Sequence, residues 1–216
     1  MVIIKDNFLD QSTFDWLSET AQQHAEIGLK IANDNFDKKL LLNSSMHSKS
    51  IHSKFYTLNQ PTNKKSGWDM SFGSNLKGDL VEPCIKLKKD INPVIKQIMN
   101  SVNEDISPLV LHPVDSVHML FGTVGYKIRE HIDIIYTNTT MQQLKPLFKV
   151  FLFCNKNWKS SWGGELCFKT TKCLPIPNRL VAYSRDESHW VNEVTEKAEN
   201  YRIIFATSFG KETNQT

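Results

Sequence analysis

The stretch GYKIREHIDII, residues 125–135, decides how the second half of the chain is interpreted. Its isoleucines and its tyrosine favour a β-strand. His131 and Asp133 lie two residues apart in this stretch, with isoleucines beside each of them. Because side chains at i and i+2 of a strand point to the same face, an imidazole and a carboxylate project together from it. Such a pair can ligate iron, zinc or manganese, although two ligands alone hold a metal poorly.

Similar β-branched and aromatic runs recur throughout the chain after Pro108. They are SVHMLFGTV (116–124), FKVFLFCN (148–155), GELCFKT (164–170), RLVAYS (179–184), HWVNEVT (189–195) and YRIIFATSF (201–209). Gly, Asn and Pro clusters separate them, which is typical of an antiparallel sandwich or barrel. We therefore predict a mainly β body over residues 108–210, followed by a frayed tail at 211–216.

The first half of the chain has a different character. MVIIKDNFL predicts a strand, and residues 10–26 bring apolar side chains round at helical spacing behind a candidate cap, Ser12. Residues 33–75 are rich in Ser, Asn, Lys and Gly, which indicates loops and short irregular strands. A second helical pattern follows, in which Pro93 starts or kinks the helix. We predict that residues 1–107 supply a strand, helices and substrate-side loops to a single α+β domain spanning 1–216.

Composition excludes several classes of protein. The net charge of +3 comes from basic and acidic residues that are mixed along the chain, so nucleic acid is not an expected partner. The four cysteines form no CxxC pair, and the N-terminus lacks the features of a secretory signal. No apolar run approaches the roughly 20 residues needed to cross a bilayer. We expect a soluble, cytoplasmic protein with free thiols and no membrane partner.

Six other histidines can supply a third ligand to the His131–Asp133 pair. His189 differs from the rest because it begins HWVNEV directly after the turn-like SRDES, and two such strand ends can meet in a jelly roll. Further on, Arg202 lies in an otherwise apolar strand, where a guanidinium needs a paired anion to offset its desolvation. A bound carboxylate is the natural candidate.

Four ordered motifs carry a resemblance to a known family. They are the H-x-D run, NKNW followed by GGEL-x-F, PNRLVAYS followed by H-x-V-x-EV, and the final YR. Together they resemble the double-stranded β-helix, or jelly roll, of the Fe(II)- and 2-oxoglutarate-dependent dioxygenases, and within these the prolyl 4-hydroxylase-like group. The resemblance covers about residues 117–210, and the opening IIKDNFLD is also similar to that group.

The resemblance implies a site and its cofactors. His131, Asp133 and His189 would form the metal ligands on Fe(II), and Arg202 would pair with the distal carboxylate of 2-oxoglutarate. Dioxygen is the other cosubstrate, and ascorbate is a further expected cofactor. Lys149 is the alternative partner of the carboxylate. In this family an aspartate at the position of Asp133 favours hydroxylation over halogenation.

The chain departs from the family at two positions that hold 2-oxoglutarate in many relatives. Tyrosines expected there are matched by Phe121 and Phe153. Replacement contacts are expected from Tyr126, Tyr183 and Lys149.

Three functions remain open from the sequence. The first is a dioxygenase that hydroxylates an unactivated C–H bond, with a peptidyl proline, another peptide side chain or a small molecule as substrate, and that releases succinate and CO2. The second is a non-redox, cupin-type module that binds a metal or a small acid. A nucleobase demethylase ranks last, because no dense basic groove is evident. Residues 33–75 and 136–147 are the loops expected to contact the substrate.

Overall fold

The computed structural model describes residues 1–34, 53–55, 67–72, 92–106, 112–113, 117–132 and 144–212. Two helices and twelve strands lie within these ranges. In chain order they are β1 (Val2–Lys5), α1 (Gln11–Asp34), β2 (Ser53–Phe55), β3 (Gly67–Phe72), α2 (Asn92–Asp105), β4 (His112–Pro113), β5 (Val117–Gly122), β6 (Ile128–His131), β7 (Leu144–Phe153), β8 (Leu166–Phe168), β9 (Lys172–Cys173), β10 (Leu180–Ser184), β11 (His189–Val191) and β12 (Arg202–Glu212).

The strands form two antiparallel sheets. The major sheet has the order β1-β10-β7-β12-β5-β3-β2, with β4 also paired to β12, and the minor sheet has the order β6-β11-β8-β9. Apart from the consecutive pairs β2–β3 and β8–β9, neighbouring strands are not consecutive in sequence, as in a jelly roll. The predicted fold class, a mainly β jelly roll with flanking helices, is confirmed.

Two apolar cores lie on opposite faces of the major sheet. The helix-side core combines α1 and α2 with Val150 and Leu152 of β7. The inter-sheet core contains Phe151 and Phe153 of the same strand, together with residues of the minor sheet. Because strand side chains alternate between faces, this assignment determines which residues of β7, β10 and β12 face the space between the two sheets, the inter-sheet space.

Both predicted helices form, and each buries a stripe of apolar side chains. In α1 the stripe includes Leu17 and Ala21, at helical spacing. The prediction that Ser12 caps the N-terminus of this helix was wrong. The Asp10 carboxylate accepts hydrogen bonds from the Thr13 amide at 3.0 Å and from the Ser12 hydroxyl at 2.6 Å, because a side-chain oxygen just before the first turn reaches the open amide two or three residues on.

The asparagines of the NKNW and PNR motifs add hydrogen bonds beyond the ends of the strand ladders. Asn178 has a positive φ of 59°, and its side chain both accepts from and donates to the Leu9 backbone at 2.8 Å. Buried Asn155 accepts from the Ile203 amide at 2.8 Å and donates to the Pro175 carbonyl. These motif residues therefore fix the backbone around the inter-sheet space.

Two boundaries predicted from the sequence, one of the β body and one of a loop, were wrong. β12 continues to Glu212, beyond the predicted end at 210, because its pairing with β7 runs that far. The expected substrate loop at 136–147 ends earlier, since β7 begins at Leu144; residues 133–143 lie outside the described part of the chain. Most of the other expected loop, 33–75, also lies outside it, although β2 and β3 are short strands as expected.

In the described ranges, no helix is long and apolar enough to cross a membrane. Cys154, Cys167 and Cys173 are free and buried thiols, as expected, and Cys84 lies outside the described residues. Burial raises the pKa of Cys154 to about 12 and that of Cys173 to about 11.

Candidate active site

A β-bulge aims His131 into the inter-sheet space. His131 lies opposite His189 and Ile128 lies opposite Val191, so three residue steps on β6 match two on β11. In a regular strand, residues three apart face opposite ways. The extra residue in β6 keeps both Ile128 and His131 on the inner face, which is a known use of bulges beside active sites.

The two imidazoles are neighbours. Their ring centroids are 4.3 Å apart with a 52° interplanar angle, and His189 is buried. The Nδ1 atoms of His131 and His189 lie 2.9 Å and 3.0 Å from the carbonyl oxygens of Arg129 and Glu187. A carbonyl only accepts, so each Nδ1 is assigned as the protonated nitrogen and each Nε2 as the basic one. This arrangement orients histidines that ligate metals through Nε2.

Tyr183 contacts the buried imidazole directly. Its hydroxyl lies 3.2 Å from His189 Nε2, and with Nδ1 protonated the phenol is the donor. The tyrosine ring packs edge-on against Phe168 at 5.1 Å and Phe151 at 5.5 Å. A metal on His189 Nε2 would therefore displace this hydroxyl from the nitrogen.

Arg202 is buried elsewhere in the same space. Its guanidinium lies 5.2 Å from the Phe153 ring and 5.8 Å from the Tyr126 ring. Its Nε donates to the Gly164 carbonyl at 2.6 Å, whereas its Nη2 is buried without a hydrogen-bond partner among the described residues. Burial lowers the pKa of Arg202 to about 10, which still leaves it charged at neutral pH. A buried cation with an open N–H is suited to bind an anion.

The GG of the GGEL motif lies beside this arginine, and Gly164 contacts it. Gly163 and Gly164 have φ values of 69° and 71°, in the left-handed region. A Cβ on Gly164 would lie 3.1 Å from Arg202 Cδ and 3.2 Å from Trp158 Cζ2. Trp158 in turn donates from Nε1 to the Gly163 carbonyl at 2.9 Å. The tight turn was predicted from sequence, but the close contact with Arg202 was not, because the chain gives no signal of it.

The four predicted cosubstrate contacts all face the inter-sheet space. Tyr126 and Tyr183 belong to its core, and Arg202 lies between Tyr126 and Phe153. Lys149 lies two residues before Phe151 on β7 and so shares its face. Phe121 was expected at a cosubstrate position, but it packs in the helix-side core. Phe153 does lie beside Arg202.

The predicted metal triad is described only in part. The structure brings His131 and His189 together, whereas Asp133 lies outside the described residues. Among the residues that are described, no three His, Cys, Asp or Glu side chains cluster closely enough to hold a metal. Two oriented imidazoles and a buried guanidinium with an open N–H nevertheless fit a metal and an anionic cosubstrate.

Comparisons with known proteins agree with this geometry. Residues 114–209 match the model of the 2OG-Fe(II) oxygenase superfamily. A comparison of the sequence with curated proteins gave no match. The similarity to this superfamily that the motifs predicted is therefore found over residues 114–209. That family implies Fe(II), 2-oxoglutarate and O2 as cofactor and cosubstrates.

Solved structures share the fold at low sequence identity. A prolyl-4-hydroxylase from Pseudomonas putida aligns with a TM-score of 0.57 at 12% identity, over 97% of this chain and 92% of its own. A viral collagen prolyl hydroxylase from Paramecium Bursaria Chlorella virus-1, in complex with 2-oxoglutarate, aligns at 0.53 and 13%, over 97% and 95%. A prolyl hydroxylase from Trichoplax adhaerens, bound to a peptide fragment of hypoxia inducible factor, aligns at 0.53 and 17%, over 97% and 82%.

Proposed function

We propose that this chain is an Fe(II)- and 2-oxoglutarate-dependent dioxygenase that hydroxylates an unactivated C–H bond. A peptidyl proline or another peptide side chain is the leading substrate class, and a small molecule is the alternative. The observation that carries the proposal is that one space holds two features. These are two imidazoles whose Nδ1 atoms lie within hydrogen-bond distance of backbone carbonyls, and a buried Arg202 whose Nη2 has no partner among the described residues.

His131, Asp133 and His189 would hold the metal, and Arg202 would hold the distal carboxylate of 2-oxoglutarate. When bound, Fe(II) supplies the activation of O2 that converts 2-oxoglutarate to succinate and CO2 and oxidises the substrate. The chain itself provides orientation and water exclusion. The carbonyls that accept from each Nδ1 fix the imidazoles, and the rings of Tyr126 and Phe153 cover the guanidinium.

The peptide assignment is supported by the family resemblance and by the peptide complex of the similar hydroxylase from Trichoplax adhaerens. Asp133 supports hydroxylation through the same resemblance. A requirement for ascorbate, a cytoplasmic location and a single domain over 1–216 stay predictions.

Oxygen-dependent succinate formation tests the proposal. Purified protein with Fe(II), 2-oxoglutarate and ascorbate is expected to form succinate under O2, and a proline-containing peptide library is expected to gain 16 Da, the mass of one oxygen atom. Omitting ascorbate tests that cofactor separately. The His189→Ala variant should form neither product, whereas the exposed Lys172→Met variant should match the wild type. Binding of 2-oxoglutarate without any succinate would contradict the proposal and favour the non-redox binding module.

A further inference from the structure

Three polar side chains form one rung across the major sheet. Tyr183 of β10 pairs with Lys149 of β7, and Lys149 pairs with Ser208 of β12. Directly paired residues share a face, and here that face is the inter-sheet one, since Phe151 and Ala206 lie two residues away on the same strands. Their Cβ atoms are therefore about 4.5–5.5 Å apart from strand to strand. The rung is polar, whereas Phe151 and Ala206, which lie two residues away on the same face, are apolar.

The rung lies at the histidine end of the inter-sheet space. Tyr183 contacts His189 at 3.2 Å. Arg202 is on the same strand as Ser208, six residues away, which is about 20 Å at the rise of a β-strand. Arg202 is also tied to the Gly164 carbonyl at 2.6 Å. Lys149 and Arg202 therefore do not share one carboxylate, and a cosubstrate held at Arg202 leaves Lys149 to the other reactant.

Lys149 and Ser208 have donors that no described residue uses. Ser208 is 1% exposed, and its Oγ makes no hydrogen bond to the described residues. Lys149 is half-buried, and none of the ion pairs between described residues includes it, whereas Lys5, Lys127 and Lys159 each pair with a carboxylate. A cation and a buried hydroxyl on adjacent strands match the acceptors of a carboxylate. An apolar proline ring alone would leave both donors unpaired.

We propose that Lys149 and Ser208 form a subsite for a carboxylate of the substrate, next to the oxidised C–H bond. This inference rests on the proposed function and narrows its substrate class to peptides with an acidic group beside the target residue. The acidic group is an aspartate or glutamate side chain or a C-terminal carboxylate. Because Tyr183, the next residue of the rung, contacts His189, the bound carboxylate would lie close to the two histidines.

Matched peptide pairs test the subsite by anaerobic binding. The probes are Ala-Pro-Asp-Ala amide against Ala-Pro-Asn-Ala amide, and Ala-Ala-Pro acid against Ala-Ala-Pro amide. Each is titrated into the Fe(II)–2-oxoglutarate complex, with the change in its visible charge-transfer band as readout. The wild type should bind the acidic member of at least one pair about tenfold more tightly, as expected for charge-assisted hydrogen bonds. The pair that discriminates identifies the source of the carboxylate.

Variants separate this subsite from the cosubstrate site. Lys149→Met should reduce the acid-to-amide preference to about one, and Ser208→Ala should reduce it partly, while neither weakens 2-oxoglutarate binding. Lys149→Arg should keep the preference, as should the control Lys172→Met on the edge strand β9. Equal affinity for both members of each pair, no binding of any probe, or a preference that survives in Lys149→Met would overturn the inference. Weakened 2-oxoglutarate binding in Lys149→Met would also overturn it. Failure of the band itself would instead count against the proposed function.

Discussion

Replacing Gly164 with alanine tests whether the backbone of the GG turn positions Arg202. The added Cβ would lie 3.0 Å from Val194 Cγ2, 3.1 Å from Arg202 Cδ and 3.2 Å from Trp158 Cζ2. An L-residue at a φ of 71° is strained, by about 1–2 kcal/mol. Overpacking of a filled site adds about 1–3 kcal/mol. We therefore expect the free energy of unfolding to fall by about 2–5 kcal/mol.

The same substitution should also weaken cosubstrate binding. Displacing Arg202 alters a charged hydrogen-bonding group, which is worth about 1.5–3 kcal/mol, or roughly 10- to 100-fold in the Kd of 2-oxoglutarate. The assays are urea unfolding and 2-oxoglutarate titration at a temperature where the variant is folded.

Gly163→Ala is the matched control for backbone strain. Its φ is 69°, and its Cβ would lie 2.2 Å from the Glu193 carbonyl oxygen, so it should be at least as destabilising. The three heavy atoms nearest to that Cβ belong to Glu193 and Thr195 and not to Arg202, so 2-oxoglutarate affinity in the folded fraction should stay near that of the wild type. If Gly164→Ala bound 2-oxoglutarate normally, or if both variants weakened it equally, the positioning role of Gly164 would be refuted.

Three further changes probe separate parts of the account. Asn178→Ala removes two buried hydrogen bonds to the loop after β1. In urea unfolding, the free energy of unfolding should fall by about 2–4 kcal/mol, and a fall of less than about 0.5 kcal/mol would contradict a structural role for this side chain. Tyr183→Phe removes the hydroxyl that competes for His189 Nε2; anaerobic titration should give an unchanged or up to about tenfold tighter Fe(II) Kd, not a weaker one. Asp6→Asn removes the ion pair with Arg179, whose hydrogen bond lowers the pKa of Asp6. The wild type should therefore be the more stable at pH values above the unfolded pKa of about 3.9. The difference in the free energy of unfolding between wild type and variant should shrink as pH falls through the lower folded pKa. A difference that stays constant from pH 7 to pH 2 would contradict a stabilising role of the Asp6 charge.

The fold was largely predictable because its strands have a simple signal. Apolar and β-branched runs such as RLVAYS must be buried on both faces here, since Leu180 and Val181 pack in different cores. Their order along the chain, with turn residues between, is that of a jelly roll. The ends of strands were less predictable. The extension of β12 to Glu212 depends on pairing with β7, which no local pattern reveals.

The location of the candidate site residues in the inter-sheet space was predictable where it depends on residue type and not where it depends on register. His189 and Arg202 were predicted from their chemistry and motif context. The placement of Phe121 was wrong because a strand's face follows from its pairing partners, and β5 directs Phe121 to the helices. The bulge in β6 could not be predicted from the sequence either. It arises because three residue steps on β6, from Ile128 to His131, pair with two on β11.

In the proposed site, His131 and His189 hold one Fe(II) in the inter-sheet space, where Arg202 also lies. Anaerobic titration of the wild type with Fe(II) and 2-oxoglutarate should give a weak visible charge-transfer band that saturates at one iron per chain. His131→Ala and His189→Ala should abolish the band, and Arg202→Met should shift it to higher 2-oxoglutarate concentration without removing it. A wild type without the band, or a band undiminished in His131→Ala, would contradict the account.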